Sequence, residues 1–133
     1  MSIPSSISEK IVDDDMTIIV DAVDGQFAAE GVSIDASRET VDIIGWASTK
    51  DGKPFTHLFL KEPDGTYKAQ LSADMRLDVA DNLDNDELLH SGFTVNTGIS
   101  SFTDGTTSLE FVGRTSDGAY HRGVAQVQVS LVK

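Results

Sequence analysis

Few side chains in this sequence are equipped for chemistry, and their spacing limits what they could do. Three histidines, His57, His90 and His121, stand far apart, so a metal or proton-transfer site made of them would need the fold to gather three segments. Isolated strand or loop histidines are the plainer reading. The densest run of oxygen donors is Asp81-Asn82-Leu83-Asp84-Asn85-Asp86-Glu87. There Asp81, Asp84, Asp86 and Glu87 could wrap a hard cation such as calcium at a sheet rim, or simply form a solvated loop. Trp46, His57, Tyr67 and Tyr120 are the rings able to stack on a sugar, with Asp, Asn and Gln side chains to hold its hydroxyls. Arg76 is the one cation among the carboxylates from Asp74 to Glu87, which predicts a structural pair with Asp78 or Asp81.

Other chemistries have no carrier. The chain lacks cysteine, which removes disulfides, thiolate zinc sites and cysteine nucleophiles together. There is no G-x-S-x-G elbow, H-E-x-x-H helix or glycine-rich phosphate loop. No catalytic residue and no cofactor other than a calcium ion is expected, and the sequence predicts a protein that is not an enzyme. Ten basic against 22 acidic residues give a net charge of −12, which repels nucleic-acid phosphates and anionic lipid. Residues 1–16 contain no charged segment followed by an apolar run. No window approaches the ~18 apolar residues of a membrane span. A soluble chain without export signal or membrane insertion is the expectation, with a glycan or a protein as partner.

The elements that must position these side chains are strands. Thr17 to Val23 is a β-branched run stopped by Asp24-Gly25, and Phe27 to Ile34 reads as a second short strand. Val41 to Ser48 carries apolar groups on both faces, with Val41, Ile43 and Ala47 against Ile44 and Trp46. That pattern predicts a central strand with Trp46 in the core, and Gly45 a bulge or a close backbone approach. Phe55 to Lys61 and Thr66 to Ser72 form a hairpin, with Phe55, His57 and Phe59 expected on one face. Strands follow from Phe93, around Leu109 and Phe111, and from Ala125 to Leu131. Five Asp-Gly pairs punctuate the chain.

The helical spacing of Val79, Leu83 and Leu88 interrupts this pattern once, predicting a short helical turn in the crossover 75–91. A single all-β domain over 16–133 is therefore expected, an antiparallel two-sheet β-sandwich of Ig-like or jelly-roll kind. Residues 1–15, with Asp13-Asp14-Asp15, read as an acidic leader, flexible or laid along an edge.

Four short motifs occur in a fixed order: Ile44-Gly45-Trp46-Ala47, Asp64-Gly65-Thr66-Tyr67, Arg76-Leu77-Asp78-Val79-Ala80 and Ser91-Gly92-Phe93. This order resembles a β-sandwich accessory module of bacterial surface-polysaccharide glycosyltransferases and glycan-assembly proteins, over about Val41 to Val132. Leu77 stands where that pattern has proline. The resemblance implies glycan binding or domain scaffolding rather than catalysis. Carbohydrate binding is the leading expectation. The alternative is a structural or interaction module of a larger cell-surface or phage assembly.

Overall fold

The computed structural model describes residues 2–3, 11–13, 16–63, 65, 67–71, 76–89 and 91–132. In chain order the strands are β1 (Ser2–Ile3), β2 (Ile11–Asp13), β3 (Thr17–Val23), β4 (Gln26–Phe27), β5 (Val32–Asp35) and β6 (Thr40–Ser48). They continue with β7 (His57–Lys61), β8 (Tyr67–Leu71), β9 (Gly92–Gly98), β10 (Gly105–Arg114) and β11 (Tyr120–Val132). One α-helix, α1 (Leu77–Asn82), and a 3-10 turn at Asp86–Leu88 lie in the predicted crossover.

The strands form a two-sheet sandwich. The first sheet runs β1-β8-β7-β10-β11, and the far edge of β11 is shared by β2 near Tyr120 and β5 near Val129. The second runs β4-β3-β6-β9. Pairing is antiparallel except for β2 and β5, which join β11 in parallel and make the first sheet mixed. The stretch read as one strand from Phe27 to Ile34 is two short ones, split by a 3-10 turn at Ala28–Glu30. The hairpin of β7 and β8 has the predicted partners, from His57 opposite Leu71 to Lys61 opposite Tyr67.

All five Asp-Gly glycines, Gly25, Gly52, Gly65, Gly105 and Gly118, take positive φ, so each turn is specified by the residue that tolerates it.

Alternation along the strands sends one set of side chains between the sheets. Val41, Ile43 and Ala47 of β6 meet Leu58 and Leu60 of β7, Phe111 of β10 and Val127 of β11 in one core. The Phe93 and Phe111 rings lie 5.4 Å apart within it. Gly45 confirms the predicted close approach, because a Cβ there would collide with the Ile19 carbonyl oxygen and the Phe93 ring.

Two residues sit elsewhere than the pattern predicts. Phe55 precedes β7 and enters the main core, whereas His57 and Phe59 point to the opposite face. The bridge between Ser48 and Pro54 and the bend at Thr56 turn the chain between Phe55 and His57. Strand alternation therefore begins only at His57. Trp46 is the second case. It lies on the outer face of β6, partly exposed, because the inward positions of that strand are filled by Ile43, Gly45 and Ala47.

Part of the outer side of the first sheet is buried as well. Phe59, Tyr67 and Val112 form a second apolar cluster there, with Tyr120 packed against it. Phe59 and Val112 are direct cross-strand partners, which accounts for their contact.

Candidate functional site

Of the four rings able to stack on a sugar, three share the outer face of the first sheet. His57 stacks on Phe59 at 6.5 Å, and Phe59 on Tyr120 at 6.3 Å. Tyr67 is beside them but only 1% exposed, and its hydroxyl donates to Glu110 at 3.3 Å. Burial, and next the Glu110 charge, push the Tyr67 hydroxyl pKa up. Tyr67 is therefore a packing residue here, while His57 and Tyr120 keep partial access to solvent. Trp46 stands apart, on the second sheet.

Arg76 makes the expected pair and a second one. Its guanidinium donates Nε to Asp78 Oδ1 at 3.0 Å and Nη2 to Asp78 Oδ2 at 2.8 Å, a bidentate fork. Nη1 reaches Asp21 of β3 at 2.6 Å. A register shift between Val20 and Ala22 frees Asp21 from strand alternation. The hydrogen bonds from Arg76 hold the Asp78 carboxyl below its ordinary pKa, and those carboxylates keep Arg76 firmly protonated.

The acidic crossover does not gather its carboxylates. Asp81 in α1, Asp84 in the turn after it and Asp86 at the start of the 3-10 segment are all exposed. Glu87 reaches Lys53 at 3.8 Å. Among the described residues no three His, Cys, Asp or Glu side chains converge on a point where a metal ion could sit. His90, Asp64, Thr66, residues 72–75 and most of the acidic leader lie outside the described residues.

A concave site lies where β7 begins and β10 passes into β11. Asp51, Lys53, Pro54, Thr56, Glu87, Thr115, Ser116, Asp117, Ala119 and His121 line a groove of about 770 Å³. One wall is the turn after β6. It is held by Thr49 N–H to Lys53 O at 2.9 Å, Gly52 N–H to Thr49 O at 3.0 Å, and Asn85 Nδ2 to Gly52 O at 2.7 Å. The other wall is the turn before β11. There the Thr115 N–H bonds Ala119 O at 3.0 Å, the Ala119 N–H bonds Asp117 Oδ1 at 3.1 Å, and the Thr115 hydroxyl donates to the same carboxylate. The Thr115 hydroxyl, followed by the Ala119 N–H, lowers the Asp117 pKa, so this carboxylate stays ionised.

Thr56 ties the groove to the aromatic row. Its hydroxyl donates to Arg114 O at 3.1 Å and lies 3.0 Å from His57 Nδ1. Arg114 is the cross-strand partner of both His57 and Tyr120, which sets these two half-exposed rings on either side of β10 on the outer face of the first sheet. His121 faces the opposite side of the sheet, its ring 5.8 Å from Phe55. Sequence reasoning found the two turns, at Asp51-Gly52 and Asp117-Gly118. It had no means to bring them together, because their adjacency follows from β10 pairing with β7 on one edge and β11 on the other.

The architecture is that of an all-β two-sheet sandwich with a rim groove. No family model matches the chain, and no curated protein matches it.

Proposed function

We propose that this chain is a non-catalytic β-sandwich module that binds a short saccharide in the groove between the turns at Asp51-Gly52 and Asp117-Gly118. The groove carries the reading. Its volume of about 770 Å³ falls within the ~300–1,000 Å³ of small-ligand sites. Pro54 and Ala119 offer an apolar surface for the face of a sugar ring. Around them the Asp51, Glu87 and Asp117 carboxylates and the Thr56 and Ser116 hydroxyls are suited to its hydroxyl groups. The resemblance of the sequence motifs to glycan-assembly accessory modules points the same way.

Amide NMR of the isotope-labelled protein, titrated with a panel of bacterial surface oligosaccharides, tests this. Saturable shifts at Thr56, Asp117, Ala119 and His121, weakened in Glu87→Gln, are the expected result. A well-folded spectrum that no saccharide perturbs would overturn it.

A further inference from the structure

The second sheet leaves an apolar surface uncovered. On its outer face Ile19 pairs across the strands with Trp46, and Ala22 pairs with both Ile44 and Phe27, so the five side chains are contiguous. Phe27 is 71% exposed, Ile19 43% and Ile44 41%. Exposed large apolar groups are normal singly, but a joined patch ringed by polar residues marks a docking surface. Beside Ile19 and Phe27 is a depression of about 560 Å³, whose charged lining is Asp21, Glu30, Arg76 and Asp78. Three carboxylates there face one guanidinium, and that guanidinium is engaged by two of them. Asp42, exposed and two residues before Ile44 on the same face of β6, extends the acidic border.

We propose that this face docks a protein surface presenting an apolar side chain flanked by lysine or arginine. The apolar member fills the depression against Ile19 and Phe27, and the cations meet Asp21, Asp42 and Asp78. A second copy of the chain is disfavoured as occupant. It would set one acidic border against another between molecules of net charge −12 each. The site lies on the other sheet from the groove's aromatic row, and its occupancy is read independently of saccharide binding.

The test uses the isotope-labelled full chain and three synthetic helical peptides with the same leucine and phenylalanine stripe, flanked by lysine, serine or glutamate. The lysine peptide is expected to shift the amides of Ile19, Ala22, Phe27 and Ile44 and the Trp46 indole saturably. It should bind at least about tenfold tighter than the glutamate peptide at low salt, the gap closing as salt is added. Phe27→Ser, at a position outside the core, should weaken it by about tenfold, while Thr56 and Asp117 stay unshifted. Equal affinity of all three peptides would overturn the cationic partner. Absence of shifts with any of them would overturn the docking face itself. A concentration-dependent dimer whose contact maps to Ile19, Phe27 and Ile44 would also overturn the proposal, replacing the partner with a second copy.

Discussion

Arg76 and Asp21, 55 residues apart in sequence, are joined by a contact of 2.6 Å between Nη1 and Oδ2. This contact fastens the crossover to β3, and the Asp78 fork fixes the guanidinium that makes it. The Arg76 side chain is only 19% exposed, so the guanidinium is more shielded from water than in a surface pair, while Asp21 and Asp78 stay 38% and 61% exposed.

Removing that guanidinium should therefore matter. Arg76→Met is expected to cost about 1–3 kcal/mol, read as a lower urea midpoint. Arg76→Lys should recover only part of it, because an ammonium cannot reproduce the fork. A double-mutant cycle with Asp21→Asn should show coupling between the two sites. Strict additivity would mean that the contact contributes nothing to the fold.

Gly45 and Gly65 should respond differently to the same substitution. A methyl at Gly45 meets the Ile19 carbonyl and the Phe93 ring, and neither can move without disturbing strand pairing or core, so Gly45→Ala should cost about 3 kcal/mol or more. Gly65 has open space around it and only its φ of 90° to oppose a side chain. Gly65→Ala should cost about 1 kcal/mol. Thermal melts of the two variants compare them directly.

Phe59 should behave as a core residue although it lies outside the two-sheet interior. It is 3% exposed and packed with Tyr67 and Val112, so Phe59→Ala should lose about 3–5 kcal/mol. A loss below ~1 kcal/mol in denaturant unfolding would show that the outer cluster contributes little.

The acid limb of stability should carry the signature of Asp35, Asp78 and Asp117. Each is held below the ordinary carboxyl pKa: Asp35 by the Ser37 hydroxyl, Asp78 by Arg76 and Asp117 by the Thr115 hydroxyl. A group depressed in the folded state stabilises it above its unfolded pKa of about 3.9, and that contribution fades as pH falls through the folded pKa. Stability should drop as pH falls below about 4, and Asp117→Asn should flatten part of that slope. Urea midpoints measured across that range would show an unchanged slope if the Thr115 bond did not form.

At the alkaline end the raised Tyr67 pKa has the opposite sign. Its contribution is complete below about pH 10 and is lost as pH rises through the folded pKa. Ultraviolet titration should show a late tyrosinate phase that disappears in Tyr67→Phe.

Much of the fold can be read from the sequence, because alternation and turn chemistry are local. Thr17–Val23 coincides with β3 to the residue, and the five Asp-Gly pairs mark real turns. Local rules fail where tertiary structure decides. Phe55 alternates with His57 and Phe59 in sequence, yet a bend separates them. Trp46 satisfies every local criterion for a core residue, but Gly45 and Ala47 hold the inward places beside it. The groove was hidden for a related reason: its walls are two turns 66 residues apart, from Asp51 to Asp117, made neighbours by strand order alone. The Arg76–Asp78 fork is legible because its members are two residues apart, whereas Asp21 is 55 residues away.

The position of β11 bears on how this domain emerges during synthesis. β2 and β5, from the first 35 residues, find their partner among the described strands only in Tyr120–Val132, and β10 needs the same strand. A nascent chain that has exposed everything up to Arg114 still lacks the strip that closes the first sheet. Until then Val32, Ile34, Leu109 and Phe111 have no complete interior to enter. Folding on the ribosome should therefore wait for β11. A chain interrupted before Tyr120 should be handled by the cell as an unfolded polypeptide rather than as a smaller working domain.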